Sequence, residues 1–344
     1  MSGKGSHMKV DKFDQSTFLV LKAAYLYYIL EKQQNQIAEE MDVSITTVSR
    51  LLKRAKDERI IEFVIRDPYV ECLKMGQKIK DVFGLREVVI APAIDFSLGD
   101  DETAYDPESV KKLVALEGAR YLQRIIKEKD VLGVTWGSTI YQLINYLNPA
   151  QKVDATFVTL HGSLAYCVNE WDVRTLVSRM AKAFSGCTYT LLTNTLMSSK
   201  KTVDMLKQEK NMMQVYEMFE KINIAVVGTG SLYPELSSIL TRPEYLMPGE
   251  VELLQKKGAV GDIALRFFDK NGEECDTDLK ERTISIDFKT FKKIKKKIMI
   301  ASDVSKAHTL YYALCGGLID VLIIDNRLGE AILKLKGQSG NRLL

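Results

Sequence analysis

A short polar loop between a candidate strand and a candidate helix has the residues of an anion-binding site. It reads Gly-Val-Thr-Trp-Gly-Ser-Thr over 133–139, and Gly137, Ser138 and Thr139 come directly before the apolar spacing of the next helix. A glycine and two hydroxyl residues at a helix start offer backbone N–H groups, side-chain donors and the positive end of the helix dipole. The alternative is an ordinary helix cap, since Ser and Thr are common at that position.

A second glycine-containing turn follows another candidate strand. Gly228, Gly230 and Ser231 lie in Val-Gly-Thr-Gly-Ser at 227–231, where the glycines either let a ligand approach the backbone or simply allow a tight turn. The third glycine and the downstream acid of a dinucleotide-binding fingerprint are missing, because Pro234 and Glu235 follow instead. The sequence therefore disfavours a nicotinamide site and predicts no cofactor.

Three further polar side chains lie next to candidate strands. Asp262 could accept hydrogen bonds from sugar hydroxyls or merely cap backbone N–H groups. Lys306, in the first turn of a helix, could reach a phosphate as a point charge, although most surface lysines are only solvated. His161 ends a strand and could hydrogen-bond a ligand. These three residues join the glycine and hydroxyl residues above as candidate effector-binding residues.

Residues 33–55 predict two helices joined by a tight turn. The apolar residues of their facing sides are Ile37, Ala38, Met41, Val48, Leu51 and Leu52. Asp42 tolerates the positive φ that such a turn needs, and Ser44 is placed to cap the second helix. The predicted DNA-contacting residues are Gln36, Ser44, Thr46, Thr47, Ser49, Arg50, Lys53 and Arg54. Hydroxyls and an arginine near a helix start suit entry into the major groove, whereas the alternative is a solvated helical hairpin.

The elements that position these residues change character along the chain. Ile60–Ile65 predicts a wing strand that completes a winged helix-turn-helix. After it, β-rich runs alternate with helical ones, which predicts a mostly parallel sheet covered by helices. The candidate strands are Val88–Ala91, Val131–Trp136, Thr156–His161, Tyr189–Leu192, Ile224–Val227, Asp262–Phe268, Lys297–Ala301 and Val321–Ile324. Ligands of such sheets bind beyond the carboxyl ends of the strands, where the polar residues above lie.

Length and composition favour two domains in 344 residues, a helix-turn-helix domain at 9–66 and an α/β effector-binding and oligomerisation domain at 67–344. Gly5 to Met8 resemble the scar of a cleaved expression tag and are excluded. The net charge is only +3, so DNA binding needs a local basic patch. The lysine-rich run 289–297 has the spacing of an amphipathic helix with a solvated face.

Several classes of protein are disfavoured. The five cysteines and three histidines lack the spacing of a metal site. No apolar run approaches the ~20 residues of a membrane helix, and no secretory signal begins the chain. We therefore expect a cytoplasmic protein without a bound metal.

These motifs together resemble the SorC family of sugar-binding bacterial transcription regulators. The motifs are Ile-Ala-x5-Ser-x3-Val-Ser-Arg-Leu-Leu-Lys-Arg-Ala at 37–55, the loops at 133–139 and 227–231, Gly-Asp-Ile at 261–263, and Lys306 with the segment 316–325. The resemblance spans nearly the whole chain. It implies an effector domain like ribose-phosphate isomerase and glucosamine-phosphate deaminase folds, a tetramer of paired dimers (a dimer is the alternative), operator DNA as partner, and a phosphorylated sugar as inducer.

On the matching positions, the resemblance places the phosphate on Gly137, Ser138, Thr139 and Lys306 and the sugar on Asp262 and His161. The chain departs from the family where Ser302-Asp303 replaces the usual Gly-Gly pair, and a carboxylate there is expected to repel phosphate. Two other functions compete. A sugar-phosphate isomerase or deaminase would need a paired acid and base that the loops do not offer. A sensor acting through protein partners would use the helical hairpin as a dimer contact.

Overall fold

The computed structural model describes residues 15–58, 60–61, 69–93, 106–149, 151–167 and 169–340. The chain forms two compact units, Met1–Arg66 and Asp67–Leu344. Most of the predicted wing strand, residues 62–65, lies outside the described residues, and so does the tag-like segment 5–8.

Within residues 15–58, the N-terminal unit forms a cluster of three helices. They are α1 (Gln15–Tyr28), α2 (Gln34–Met41) and α3 (Ile45–Asp57). Ala23 of α1, Ile37 of α2 and Val48 of α3 are fully buried in one apolar cluster. α1 ends at Tyr28, and Glu31, three residues further along the chain, adopts a left-handed conformation with φ of 51°.

The turn between α2 and α3 confirms the roles predicted for Asp42 and Ser44. Asp42 has φ 53° and ψ 49°, and the N–H of the next residue, Val43, donates to the carbonyl of Ala38 at 3.0 Å. Ser44 Oγ accepts a hydrogen bond of 3.1 Å from the N–H of Thr47. One left-handed residue and one cap therefore fix how α3 leaves α2.

The described residues of the second unit form ten strands in two sheets. The strands are β1 (Glu87–Ala91), β2 (Val131–Val134), β3 (Thr156–Thr159), β4 (Cys187–Tyr189), β5 (Ile224–Val227), β6 (Gly230–Ser231), β7 (Gly261–Ile263), β8 (Arg266–Phe268), β9 (Lys296–Ile300) and β10 (Val321–Asp325). Seven of them form a parallel sheet in the order β1-β10-β9-β5-β2-β3-β4, and β6, β7 and β8 form a small antiparallel sheet. The predicted α/β class with a mostly parallel sheet is confirmed.

Helices cover both faces of the parallel sheet. The described helices of this unit are α4 (Tyr69–Phe83), α5 (Pro107–Ile125), α6 (Ser138–Asn145), α7 (Val173–Phe184), α8 (Lys200–Leu206), α9 (Lys210–Phe219), α10 (Pro248–Lys256), α11 (Asp278–Arg282), α12 (Phe288–Lys293), α13 (Ala307–Cys315) and α14 (Asn326–Gly340). Of these, α10 and α11 pack with the antiparallel sheet in an apolar cluster of their own. One apolar cluster joins the sheet to α5, α6 and α7, and another joins it to α4, α9, α12, α13 and α14. Along β9, Ile298 and Ile300 enter the first cluster and Met299 enters the second, as strand alternation requires.

The antiparallel sheet corrects the prediction of one strand over 262–268. The chain reverses at Ala264 and Leu265, whose φ angles are 53° and 61°, so that β7 and β8 pair as a hairpin. Turns of this kind are usually marked by Asn-Gly or Asp-Gly, and Ala-Leu carries no such signal. Asp262 consequently lies in the middle of β7, opposite Gly230 of β6.

Other predicted boundaries also differ from the structure. The strand predicted over 131–136 ends at Val134, and the strand predicted over 156–161 ends at Thr159. The residues that follow each strand belong to loops. The run 289–297 is the short helix α12 followed by β9, not one long helix. Lys297 is buried in β9, and its Nζ lies 2.7 Å from a carboxylate oxygen of Asp320. This ion pair offsets the cost of burying the charge.

The chain changes direction across the sheet between β2 and β5. From β2 it continues to β3 and β4 on one side, and then returns to β5 on the other side of β2. The connections beyond these two adjacent strands therefore diverge and leave a crevice at their carboxyl ends.

The left-handed turn of the N-terminal unit gives the first prediction. Asp42→Gly should leave the stability of α2 and α3 unchanged or raise it, whereas Asp42→Val should lower it by about 1–2 kcal/mol, since glycine alone adopts positive φ without a penalty. Hydrogen–deuterium exchange of peptides covering 34–57 measures the effect. Glu39→Val, on the exposed side of α2, is the control for helix propensity. Equal exchange rates in the Val and Gly variants of Asp42 would contradict the prediction.

Candidate functional site

A cavity of about 210 Å³ lies in the crevice beyond β2 and β5. Seven of the nine predicted effector-binding residues line it, and they are Gly137, Ser138, Thr139, Gly228, Gly230, Asp262 and Lys306. They come from four separate stretches of the chain, which only the parallel sheet and the hairpin bring together. His161 and Ser231 are not among the lining residues.

The loop after β2 leads into α6, whose N-terminus has no side-chain cap. Gly137 immediately precedes the helix with φ 129° and ψ 158°, a conformation that favours glycine. Glycine has no side chain to cap the helix, so the N–H groups of its first turn receive no acceptor from the N-cap residue. Ser138 and Thr139, which belong to that turn, line the cavity. This end of the cavity is therefore suited to an anionic or strongly accepting group.

A hydrogen bond crosses the crevice and holds its two walls together. Thr135 Oγ1 accepts a hydrogen bond of 3.2 Å from the N–H of Gly228. The N–H of Thr135 donates to the carbonyl of Val226 at 3.2 Å. The loop beyond β2 is thereby tied to the end of β5.

Asp262 presents a buried carboxyl group to the cavity. Its Oδ1 accepts a hydrogen bond of 3.1 Å from the N–H of Gly230. A Cβ at position 230 would lie 2.2 Å from Ser238 Oγ and 2.6 Å from Asp262 Oδ1, so the close approach requires glycine. Burial raises the pKa of Asp262 to about 7, against the lowering effects of backbone hydrogen bonds and Lys306. Near neutral pH this carboxyl can accept or donate a hydrogen bond, which suits a hydroxyl ligand.

Lys306 brings a cation to the same cavity. It ends the 3-10 turn Val304–Lys306 that leads into α13. Burial lowers the pKa of Lys306, and the carboxylate of Asp303 is the strongest opposing influence. Within the described part of the chain, its ammonium has no hydrogen bond or ion pair, so it is available to a ligand.

Both tryptophans of the chain line the cavity. Trp136 belongs to the loop after β2, and its ring lies 6.2 Å from that of Tyr245. Trp171 ends the 3-10 turn Asn169–Trp171 and was missed by sequence reasoning. Flat apolar faces beside hydroxyl donors are the composition expected of a small-molecule site.

Further hydroxyls in the wall were also missed. They belong to Thr229, Ser237 and Ser238. Thr229 Oγ1 donates to the carbonyl of Asp262 at 2.8 Å, and Ser238 caps a short 3-10 turn. The two serines follow β6, a strand of two residues that leaves no detectable pattern in the sequence.

His161 and Ser231 lie behind the cavity wall. His161 is fully buried, and burial lowers its pKa to about 4, so the ring is neutral. Its Nδ1 donates to the carbonyl of Gly162 at 2.6 Å, and its Nε2 accepts from the N–H of Trp136 at 3.0 Å. Ser231 Oγ accepts from the hydroxyl of Thr309 at 2.9 Å. Both residues support loops of the cavity without facing it.

The N-terminal unit presents a separate polar face on α3. Thr46, Ser49, Arg50 and Lys53 are exposed at the spacing of one helix face. Of the residues described, none forms an ion pair with Arg50 or Lys53, whereas Arg54 is paired with Glu58.

The other predicted DNA contacts already hold local hydrogen bonds. Ser44 Oγ lies 2.7 Å from Thr46 Oγ1 and 2.8 Å from Thr47 Oγ1. Gln36 Oε1 accepts from the N–H of Gln33 at 3.0 Å, which closes the start of α2. These side chains shape the helix ends, and Arg50 and Lys53 are the cations left for a partner.

Comparison with known proteins decides between the functions considered. The Sugar-bind family model, which describes a sugar-binding domain, matches residues 67–334. The deoxyribonucleoside regulator of Bacillus subtilis (strain 168) is 31% identical over 319 residues, covering 92% of this chain and 97% of that protein. The chain belongs to the SorC family of sugar-binding transcription regulators. The predicted family and the prediction of a regulator, not an enzyme, are confirmed.

The crystal structure of the full-length sorbitol operon regulator SorC from Klebsiella pneumoniae shares the fold of this SorC family member. The two chains are 26% identical with a TM-score of 0.70, over 92% of this chain and 98% of that one. In the described ranges, no helix has the length and apolar character needed to span a membrane, and no cluster of three or more His, Cys, Asp and Glu side chains could hold a metal ion.

The raised pKa of Asp262 predicts a pH-dependent stability. Its folded-state pKa of about 7 lies above the ordinary value of 3.8, so the stabilisation from its protonation is complete below pH 4 and is lost as pH rises through 7. The free energy of unfolding of the wild type, relative to Asp262→Asn, should fall by up to about 1.4 kcal/mol per pH unit between pH 5 and 7.

Urea unfolding followed by tryptophan fluorescence measures this difference. His161 contributes in the opposite direction below its ordinary pKa, but it is common to both proteins and cancels. Asp278→Asn, at an exposed residue of α11, is the matched control and should show no such slope. A constant difference between the wild type and Asp262→Asn across this range would contradict the prediction.

Proposed function

We propose that this SorC family member binds a small sugar or sugar phosphate in the cavity beyond β2 and β5, and that this binding changes its affinity for operator DNA. The observation that carries the proposal is the composition of that cavity. A helix N-terminus, a lysine ammonium, a carboxyl group and two indole rings face one space of about 210 Å³. The regulated genes are those for uptake or breakdown of the carbohydrate that binds.

The residues around the cavity would hold a polar ligand in one orientation, because each contacts a different part of it. An accepting or anionic group meets the N–H groups and hydroxyls of Ser138 and Thr139 together with the ammonium of Lys306. Sugar hydroxyls exchange hydrogen bonds with Asp262, and the apolar faces of the carbohydrate pack on Trp136 and Trp171. His161 and Ser231 act indirectly, by holding the loops.

The N-terminal unit supplies the DNA contact. We place α3 in the major groove, with Arg50 reading a base edge and Lys53 on a phosphate. A symmetric operator is read by two copies of α3, which requires at least a dimer, and paired dimers would give a tetramer. The protein then acts in the cytoplasm, where operator DNA is present. The ligand works by population shift, because it favours one arrangement of the subunits.

A fluorescence titration tests the cavity directly. Both tryptophans line it, so binding of D-ribose, D-ribose 5-phosphate, sorbitol or sorbitol 6-phosphate should change their emission saturably. The ligand that binds should also shift operator affinity measured at fixed salt. If no sugar or sugar phosphate changes either signal, the proposed function is wrong.

Replacing the cavity lysine separates the two activities. Lys306→Met should weaken binding of an anionic ligand by about 10- to 100-fold, because a charge-assisted hydrogen bond is lost, while operator affinity without ligand stays at the wild-type value. Lys334→Met, at an exposed residue of α14, is the matched control. Wild-type ligand affinity in Lys306→Met would remove this residue from the site.

Replacing basic residues of α3 separates base reading from phosphate contact. Arg50→Ala should lose about 1–3 kcal/mol of discrimination at one base pair, provided that its fork reads a base edge. Lys53→Ala should weaken all sequences alike and reduce the slope of log K against log salt by about 1. Binding to a library of operator variants at several salt concentrations measures both, and an unchanged preference in Arg50→Ala at every position would refute its assignment.

A further inference from the structure

Asp303 has a backbone conformation that is costly for an aspartate. Its φ is 91° and its ψ is 120°, in a region that glycine enters freely and side chains disfavour. The residue precedes the 3-10 turn Val304–Lys306, which delivers the cavity lysine. The backbone of Asp303 is therefore strained at a position where a glycine would not be.

The surrounding structure holds this conformation in place. The N–H of Ala301, two residues before Asp303, donates to the carbonyl of Ile323 in β10 at 3.1 Å, and the 3-10 turn packs against α14. The carboxylate of Asp303 itself accepts from the N–H of Ser305 at 2.9 Å. The turn is thus anchored to both β10 and α14, and the Asp303 carboxylate has a fixed position.

That position is close to the cation of the cavity. The N–H of Lys306 donates to the carbonyl of Asp303 at 3.1 Å, which holds the two residues in one turn. Of the charged groups that act on the pKa of Lys306, which are Asp303, Lys111, Asp262 and Asp325, the carboxylate of Asp303 has the largest influence. Asp303 is exposed and is not part of the cavity wall. It therefore leaves room for a ligand while adding negative charge beside the ammonium that the ligand meets.

We propose that Asp303 is a specificity-determining residue, whose carboxylate lowers the affinity of the cavity for a dianionic ester relative to a singly charged or uncharged sugar. This inference rests on the proposed function of the cavity. Repulsion between the carboxylate and a dianion offsets part of the attraction from Lys306, whereas a neutral hydroxyl does not feel it. The preferred effector is a sugar that carries at most one negative charge at the Lys306 end.

Tryptophan fluorescence titrations with D-ribose, D-ribose 5-phosphate and sulfate test the inference in the full chain. Asp303→Asn should bind the two anions about threefold to tenfold more tightly and D-ribose within about twofold of the wild type, since only the charge differs. The gain should shrink when salt rises from about 0.02 M to about 0.5 M, because a partly exposed charge is screened. Glu330→Gln, an exposed acid on α14, should behave as the wild type.

Asp303→Gly separates charge from conformation. It removes the strain as well as the charge, so it should raise the Tm and show the same anion preference as Asp303→Asn. Equal changes for D-ribose and the anions in Asp303→Asn, or an anion gain seen only in the glycine variant, would overturn the inference. A wild type that binds neither sulfate nor any of the sugars and sugar phosphates, sorbitol and sorbitol 6-phosphate included, would overturn the proposed function together with it. Wild-type binding with unchanged selectivity in Asp303→Asn removes only the role of Asp303.

Discussion

The divergence of the chain between β2 and β5 is the constraint on which the effector site depends. Two adjacent parallel strands whose connections run to opposite sides of the sheet cannot fill the space beyond their ends. The hydrogen bond from the N–H of Gly228 to Thr135 Oγ1 fixes how far those ends stand apart. The antiparallel hairpin then contributes Asp262, and the 3-10 turn before α13 contributes Lys306, so the cavity follows from the topology of the chain.

Sequence reasoning could find the residues that follow long strands and precede helices. Gly137, Ser138 and Thr139 were accessible for that reason, and Lys306 was accessible from its place after β9. Trp171 and Ser238 were not, because the turn and the two-residue strand that position them have no periodicity. The same limit explains why the hairpin was not predicted. Ala264 and Leu265 adopt positive φ because of their tertiary contacts, and the local sequence lacks the residues that usually mark such a turn.

Side-chain direction was the second limit. His161 lies two residues beyond the end of β3, and its ring turns into the protein and accepts a hydrogen bond from the N–H of Trp136. The sequence predicted a solvated charge at Lys297, whereas in the structure this residue is buried and paired with Asp320. In the N-terminal unit the prediction was stronger, because the turn at Asp42 and the cap at Ser44 are local interactions that neighbouring residues determine. Local chemistry could be read from sequence, and convergence of distant loops could not.

The central claim is that one cavity and one DNA-reading helix are coupled in a single regulator. Linkage makes that claim measurable, because a ligand that changes operator affinity by some factor must have its own affinity changed by operator DNA by the same factor. The decisive measurement is the Kd of the effector, followed by tryptophan fluorescence with and without saturating operator. The account predicts that operator DNA changes the effector Kd by the same factor by which the effector changes the operator Kd, and that Lys306→Met raises the effector Kd both with and without DNA. An effector Kd that operator DNA leaves unchanged would contradict it.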